Sequence, residues 1–416
     1  MKKTKVGIIG GGASGIAAAI VAAQKGADVT LIEKNDRVGK KILATGNGKC
    51  NLGNSAFDVS AYRSDDREAL SKLLSGFSTE DVLTFFDGLG LLIKNKNGYL
   101  YPECEQASAV VDVLRFALER YHIKIHTCCK VYKIEPHGVF FRVHMQNDDR
   151  HLQETFDKII LACGSSAGIK NTADVNSLDL LHKLGMQYHD FLPALVQLRC
   201  TEPFFKALAG VRIQAGVTLF VGKQTYYEIG ELQLTEYGIS GIPVFQLSRY
   251  ASKALSTSHK GKTLPVIIDF LPQFDEAEWK EYLLKRRKSI KTDTAEQFFA
   301  GTLHKKVLGV LLKECGISYQ CNMNRISDEK IMEFAEKSKH FKVSVTAANS
   351  CTQAQVCAGG LCLSEINSHF ESNKTKGLYV VGEMLDVDGK CGGYNLQWAW
   401  LSGMTAGGDA VEGKEL

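Results

Sequence analysis

The sequence predicts an α/β chain with an all-β stretch and a charged helical stretch inserted into it. Three observations carry this. A glycine-rich turn, Gly10-Gly11-Gly12-Ala13-Ser14-Gly15, stands between an apolar strand and an Ala-rich helix near the start. A second strand, turn and helix opening runs from Gly377 to Trp400. Between the two, from about Phe191, strand-like runs dominate.

Taken in order, Lys5–Ile9 is a continuous apolar run of the kind buried on both faces of a parallel sheet. Ser14–Gln24 is helical, Gly26 ends it, and Ala27–Glu33 is the next strand. A loop rich in Gly, Lys and Asn spans Val38–Leu52. Gln106–Tyr121 is an amphipathic helix with Val110, Val113, Leu114 and Ala117 on one face. Lys124–Glu135, Val139–Gln146 and His151–Phe156 read as a meander turning at Asn147-Asp148-Asp149. Asp157–Ala162 is a buried strand entering Cys163-Gly164-Ser165. Strand-like runs follow at Ala194–Cys200, Val211–Val221, Thr225–Leu234 and Leu264–Phe270, with few long helical patterns between them. Asp275 to about Lys339 is helical and charged, and Phe341–Ala347 is one more strand.

The bulk numbers exclude several classes. There are 50 basic and 46 acidic residues, a near balance that gives no reason to expect a nucleic-acid partner. The Lys285-Arg286-Arg287-Lys288 run reads as the solvated face of a helix. No stretch is apolar over the roughly 18 residues a membrane span needs, so no membrane association is expected. Met1-Lys2-Lys3-Thr4-Lys5 is charged like the start of a leader, but a Gly-rich strand follows it rather than a cleavage-like end. Twelve cysteines form no Cys-x-x-Cys pair, which suits reduced thiols in a cytoplasmic protein and argues against a disulfide reductase. His122, His126 and His304 have no metal-like spacing, and no metal is expected. Oligomeric state is not legible.

The motifs point to a dinucleotide. Gly10, Gly12 and Gly15 form G-x-G-x-x-G, and Glu33 ends the second strand 18 positions after Gly15. Gly10 permits the tight turn, Gly12 lets a pyrophosphate approach the backbone, and Gly15 lets helix and strand pack closely. The helix N-terminus offers N–H groups and a partial positive charge to phosphate. Glu33 is placed to accept hydroxyls of an adenine ribose. The Gly39-to-Asn51 loop is a second anion cradle, with Lys40, Lys41 and Lys49 as point charges. Gly392-Gly393 before Tyr394-Asn395-Leu396-Gln397 aims a helix N-terminus at a ligand, where its dipole would stabilise negative charge on a reduced flavin. Val131 is a candidate for backbone contacts to an adenine edge, whereas Trp398 and Trp400 read as core. No second G-x-G-x-x-G follows a strand, so no separate nicotinamide domain is visible.

These motifs, with Gly230-Glu231-Leu232-Gln233-Leu234-Thr235-Glu236-Tyr237-Gly238-Ile239-Ser240-Gly241 and Gly382-Glu383-Met384-Leu385-Asp386-Val387-Asp388-Gly389, make the chain resemble the BaiN/YhiN-type NAD(P)/FAD-dependent oxidoreductases, which include aminoacetone-oxidase-like flavoproteins. The resemblance implies a split, glutathione-reductase-like, Rossmann-type FAD-binding domain carrying an inserted β-barrel domain and a small helical domain. The boundaries expected here are 1–190 and 347–416 for the FAD domain, 191–274 for the barrel, 275–340 for the helical insert and 341–346 for the returning barrel strand. Gly164-Ser165 and Thr172–Val175 stand where related chains carry Gly-Gly and Thr-Gly-Asp-Gly, and Cys104 stands where Ser is common.

The expected activity is hydride transfer between a small organic substrate, or NAD(P)H, and N5 of a noncovalently held FAD. The alternatives are a flavin-dependent RNA-modifying enzyme and a non-enzymatic flavin sensor. Residues expected to hold the cofactor are Gly10, Gly12, Ala13, Ser14, Gly15, Glu33, Lys34, Gly39, Lys40, Lys41, Thr45, Gly46, Asn47, Gly48, Cys50, Asn51, Val131, Ala162, Cys163, Gly164, Gly382, Glu383, Asp386, Gly393, Asn395 and Leu396. No catalytic acid or base stands out; Tyr101, Cys104, Tyr237, Cys391 and Asn395 are the candidates.

Overall fold

A computed structural model describes residues 3–147, 150–168 and 177–412. They form two compact units, one of residues 1–191 with 356–416 and one of residues 192–355. Thr172–Val175 and the Asp148-Asp149 turn lie outside the described residues.

The first unit is built on a five-stranded parallel sheet. β1 (Lys5–Ile9), α1 (Ala13–Gln24) and β2 (Asp28–Ile32) form the opening βαβ unit. α2 (Ala107–Arg120) leads to β3 (Lys124–His126). β4 (Lys158–Leu161) and β5 (Leu378–Val380) complete the sheet, and α3 (Tyr394–Glu412) follows. The order is β5-β4-β1-β2-β3, so the central strand is the first in the chain and an outer one comes near the end. Val6, Ile8, Ile160 and Val380 are fully buried, as strands covered on both faces must be.

α1 is apolar all round because α3 covers its other face. The two helices approach through glycines. A Cβ on Gly403 would stand 2.2 Å from Ser14 O, and one on Gly407 would stand 2.4 Å from Ala18 O. Nothing larger fits this crossing. Trp398 and Trp400 are core residues, as expected. Their indole N–H groups donate to Gly382 O and Leu52 O, at 3.1 Å each.

The run from Lys124 to Glu135 is not one strand. It breaks at Thr127-Cys128, where Cys128 takes a positive φ of 54°. Its first part is β3 of the parallel sheet. Its second part, Cys129–His137, joins Phe140–Asn147 and Arg150–Phe156 in an antiparallel meander. Periodicity is two on both sides of the break, so it could not reveal the change of sheet.

The second unit contains a closed six-stranded antiparallel barrel. Around it run Leu198–Cys200, Gly238–Gly241, Gln224–Thr235, Arg212–Val221, Leu264–Asp269 and Phe341–Ala348, which pairs again with the first. Closure removes sheet edges. The helix Ile242–Ser256 was not expected. Gly241 precedes it, Pro243 occupies its first turn, and Val244, Leu247, Ala251 and Ala254 form its buried stripe. The charged stretch forms Glu276–Ser289, Ala295–Phe299, Lys305–Glu314 and Asp328–Lys339, with capping boxes at Asp275/Glu278 and Thr294/Gln297. The 285–288 run is a helix face: Lys285 pairs with Glu281 at 2.6 Å, and Arg287 pairs with Asp328 at 2.9 Å.

Candidate functional site

The Gly10–Gly15 turn has a separate physical reason at each glycine. Gly10 has φ +110°, and a Cβ there would lie 2.3 Å from Ala162 O. A Cβ on Gly15 would lie 1.9 Å from Gly10 O. Gly12 differs from both: its φ is −86°, and nothing lies within 4 Å of a Cβ built on it. The fold leaves space beside Gly12, at the N-terminus of α1, where no side chain caps the helix.

Glu33 directly follows β2 and is buried. Its Oε2 accepts from Gly11 N at 2.6 Å, and its Oε1 accepts from Asn35 N at 2.8 Å. The carboxylate therefore ties the glycine turn to the following loop and stands at the mouth of the cradle. Gly39 N donates to Gly11 O at 2.7 Å, which closes the Lys-rich loop onto the same turn. Lys34 lies just beyond Glu33, and Lys40 pairs at the surface with Asp36 at 3.2 Å.

The distant segment enters here. Gly382 has φ +67°, and a Cβ on it would stand 2.6 Å from Ser14 Oγ. Glu383 Oε2 accepts from Lys41 Nζ at 2.6 Å and from Ser165 Oγ at 3.1 Å. One carboxylate thus joins three segments that are far apart in sequence: the Lys loop, the turn after β4 and the strand end after β5. Cys163 Sγ donates to Ile9 O at 3.4 Å, and desolvation pushes this thiol up to about 12. It is a packing residue between Ala162 and Gly164.

The Thr45–Asn51 loop is wound tightly. Thr45 Oγ1 donates to Ile42 O at 2.6 Å, and Gly46, Asn47 and Gly48 all take positive φ. Burial pushes the Cys50 thiol up to about 11, so it stays neutral. Asn51 Oδ1 is buried without a hydrogen-bond partner, beside Gly393. A Cβ on Gly393 would stand 2.4 Å from Gly53 O and 2.7 Å from this oxygen. An orphaned buried acceptor and a helix N-terminus therefore adjoin at one turn, and Leu396 follows in the first turn of α3.

Two expected ligand contacts are already engaged within the protein. Asn395 Oδ1 accepts from Gly389 N at 2.7 Å, and its Nδ2 donates to Gly389 O at 2.9 Å, so the side chain pins the turn before α3. Asp386 is buried; its Oδ2 accepts from Asp65 N at 2.8 Å and its Oδ1 accepts from Gly359 N at 3.1 Å. Asp65, His189 and Asp386 bring ligand-type atoms within 4.8 Å of one another. Val131 is a buried position of the meander, next to a register shift.

The candidate catalytic side chains separate. Tyr101 is half-buried, Cys104 is exposed, and burial holds the Cys391 thiol above its ordinary value. Tyr237 belongs to the second unit, where Asn349 Nδ2 donates to its hydroxyl at 3.3 Å and the Arg199 guanidinium lies 4.9 Å from its ring. The sequence reading missed the hairpin Ile93–Lys96 with Tyr99–Pro102, though its Asn97-Gly98 turn is a strong hairpin signal. It also missed Gln397. That buried carboxamide accepts from Asn54 N at 3.0 Å and donates to Thr79 Oγ1 at 3.0 Å, anchoring α3 to the loop strand.

The residues fit a flavin dinucleotide. Gly12 opens on space at a helix N-terminus, and Asn51 Oδ1 is an unsatisfied buried acceptor at the second turn. Fold and cradle define the class, an α/β, Rossmann-type FAD-dependent oxidoreductase. The chain belongs to the HI0933-like protein Rossmann domain family, which matches residues 4–409. It is 39% identical over 414 residues to the 3-dehydro-bile acid delta(4,6)-reductase of Clostridium scindens, covering 98% of this chain and 99% of that one. It is 27% identical over 407 residues to a ribosomal RNA dihydrouridine synthase of Haemophilus influenzae, covering 95% of each. The 3-ketosteroid delta1-dehydrogenase of Sterolibacterium denitrificans, solved with 1,4-androstadiene-3,17-dione, matches with a TM-score of 0.51 at 12% identity over 100% of both chains. That last likeness concerns fold alone. Among the described residues, no helix is long and apolar enough to cross a membrane.

Proposed function

We propose that the protein uses noncovalently held FAD to reduce a carbon–carbon double bond conjugated with a carbonyl in a small organic substrate, with NAD(P)H as electron donor. The unit of residues 1–191 with 356–416 is the FAD domain in this reading, so the second boundary lies nine residues later than the sequence suggests, because the barrel strand Phe341–Ala348 and the segment after it stay with the second unit. The single observation that carries it is the two-ended cradle, in which Gly382 abuts Ser14 while Gly12 beside them opens on space. The two named relatives supply the substrate class. One reduces delta(4,6) bonds of a 3-dehydro bile acid, and the other makes dihydrouridine. Both reactions saturate a double bond made electron-poor by a carbonyl.

The bound flavin supplies hydride chemistry at N5. This chain's residues do the rest. Gly10, Gly12, Ala13, Ser14 and Gly15 receive pyrophosphate at the start of α1, and Glu33 takes the ribose. Lys34, Lys40 and Lys41 add positive charge near the cradle. Thr45–Asn51 and Gly393–Leu396 enclose the ring end, with Asn51 Oδ1 as an acceptor. Ala162–Gly164 and Glu383 close the turn between them, and Asn395 and Asp386 position backbone rather than ligand. The half-buried Cys391 thiol, held above its ordinary value by desolvation, supports noncovalent attachment. All twelve cysteines are free thiols, which supports a reducing, cytoplasmic location.

The experiment is anaerobic mixing of the purified protein with NADH or NADPH, following flavin absorbance, then addition of an unsaturated ketone. Bleaching by a nicotinamide and recovery on adding the ketone is the expected result. A colourless protein that cannot be reconstituted with FAD would refute the reading. The second reading, an RNA-modifying enzyme, is favoured by the dihydrouridine synthase relative. Against it stand the near-balanced charge and the lack of a long basic tract. Tight RNA binding with a steep salt dependence would reverse that preference.

A further inference from the structure

The missed hairpin lies against both proposed cofactor loops. Its strand Tyr99–Pro102 pairs with Gly53–Asn54, immediately after the Thr45–Asn51 loop. Alternation sends Tyr99 and Tyr101 to the same side. The Tyr99 ring comes within 2.9 Å of a Cβ built on Gly392, and the Tyr101 ring comes within 3.8 Å of one built on Gly46. Beside them is a concavity of about 210 Å³, lined by Lys49, Lys96, Asn97, Tyr99, Tyr101 and Glu105.

Two features set this concavity apart. Among the described residues, eight non-glycine residues have positive φ, and two of them, Asn97 and Glu105, line its wall; Asn97 takes it as part of the Asn-Gly hairpin turn. At Glu105, which belongs to no Asn-Gly turn, the positive φ is backbone strain, and such strain collects at functional sites. The second feature is charge. Glu105 Oε2 accepts from Lys49 Nζ at 2.5 Å, while its Oε1 accepts from Lys94 Nζ at 3.1 Å. These two lysines hold the Glu105 carboxyl down to about 2, and Glu105 in turn raises Lys49. Lys96 is the second cation of the wall beside Lys49, against the single carboxylate of Glu105, so the wall carries one net positive charge and favours electron-rich oxygen. Desolvation holds the Tyr101 hydroxyl above its ordinary value, which keeps it a donor.

We propose that this concavity is the subsite for the substrate's carbonyl oxygen, with the Tyr101 hydroxyl and the Lys49 ammonium as its donors and Glu105 as the residue that positions Lys49. The proposal rests on the reading above. A bound reduced flavin would supply hydride to the far carbon of the conjugated double bond, and that bond's electron pair would then shift to the carbonyl oxygen. The resulting enolate oxyanion needs donors already in place. Protonation of the near carbon by water completes the gain of two electrons and two hydrogens. No residue has to change protonation state for this.

The test uses 4-nitrophenol, whose ionised form is a coloured and unreactive oxyanion, titrated into the FAD-loaded full chain. Wild type is expected to bind the ionised form, so that its yellow absorbance appears below the pH at which the free phenol ionises. Tyr101→Phe and Lys49→Met should each weaken it about tenfold, the scale of one charge-assisted hydrogen bond, with flavin content unchanged. Glu105→Gln should move the alkaline limb of probe binding to lower pH, and Glu105→Asp should restore it. A Tyr101→Phe variant that keeps FAD and binds the probe within roughly twofold of wild type overturns the subsite. So does wild-type protein that ignores the probe. Tyr101-dependent probe binding in an enzyme that reduces no unsaturated carbonyl upholds the subsite and removes only the assigned reaction.

Discussion

Glycine does two different jobs in the two units of this molecule. In the barrel, a Cβ on Gly238 would strike Leu198 O at 2.3 Å, and one on Gly241 would strike Glu231 O at 2.2 Å. Both glycines let neighbouring backbones close the barrel, and protein atoms fill the space they spare. In the cradle, Gly10 and Gly15 do likewise, but Gly12 spares space that no protein atom occupies. The lesson is that a glycine whose missing side chain would meet backbone reports on packing. A glycine facing open space at a helix start leaves the helix N-terminus accessible, as the proposed cofactor site requires.

The largest expected effect tests the packing class. Gly15→Ala and Gly238→Ala should each destabilise the protein by about 3 kcal/mol or more, since backbone must move in both. Urea unfolding monitored by circular dichroism measures this. Near-wild-type stability in either variant would erase the distinction drawn above.

Glu33→Ala should weaken FAD binding by about 1–3 kcal/mol, and Glu33→Arg by more, because a cation replaces an acceptor. Flavin fluorescence titration is the measurement. The apo protein should also soften, because Gly11 N and Asn35 N lose their acceptor. Unchanged affinity in both variants would remove Glu33 from the ribose.

Gly12→Ala sharpens the contrast most directly. It should change folding stability by no more than about 1 kcal/mol, the scale of a helix N-cap exchange. FAD affinity should fall roughly tenfold, as a methyl group enters the ligand's space. Loss of stability with affinity preserved would place Gly12 among the packing glycines.

Asn395→Ala should lower thermal stability by about 1 kcal/mol through the loss of its bonds to Gly389. Any shift in flavin potential should follow from that loosened turn, which equilibrium reduction against a dye of known potential would read.

The smallest effect concerns acid. The Glu105 and Glu135 carboxyls are both held down to about 2, from an ordinary 4.5, first by hydrogen bonds from Lys49 and Lys133 respectively. Their folded pKa lies below the unfolded one, so the stabilisation is full above pH 4.5 and fades as pH falls toward 2. Both pairs are exposed, so salt should flatten the slope. Melting temperature against pH, with and without salt, checks the sign.

Much of the cradle was legible because it is local. Gly10, Gly12, Gly15 and Glu33 belong to one βαβ unit, and their spacing encodes the turn before any tertiary contact forms. The capping boxes at Asp275 and Thr294 and the apolar run of β1 are equally self-contained. The helix Ile242–Ser256 was legible in principle, through Pro243 and the stripe of Val244, Leu247 and Ala251, but strand-rich neighbours masked it. The break at Cys128 had no signal, because strands of two different sheets share one period.

What the sequence by itself determined is therefore the set of short-range devices: where strands turn into helices, which helix N-terminus is left open beside a glycine, and which residues must be buried. Tertiary structure alone decided which partners those devices meet. That Glu383 receives Lys41 and Ser165 depends on contacts across 342 and 218 positions. That Asn395 and Asp386 spend their polar atoms on backbone depends on where Gly389, Asp65 and Gly359 arrive. The Tyr99–Tyr101 hairpin reaches the Gly392 turn only through the fold. The physical reason is that a hydrogen bond or a close approach is fixed by position in space, and chain separation carries no information about it until the core has packed.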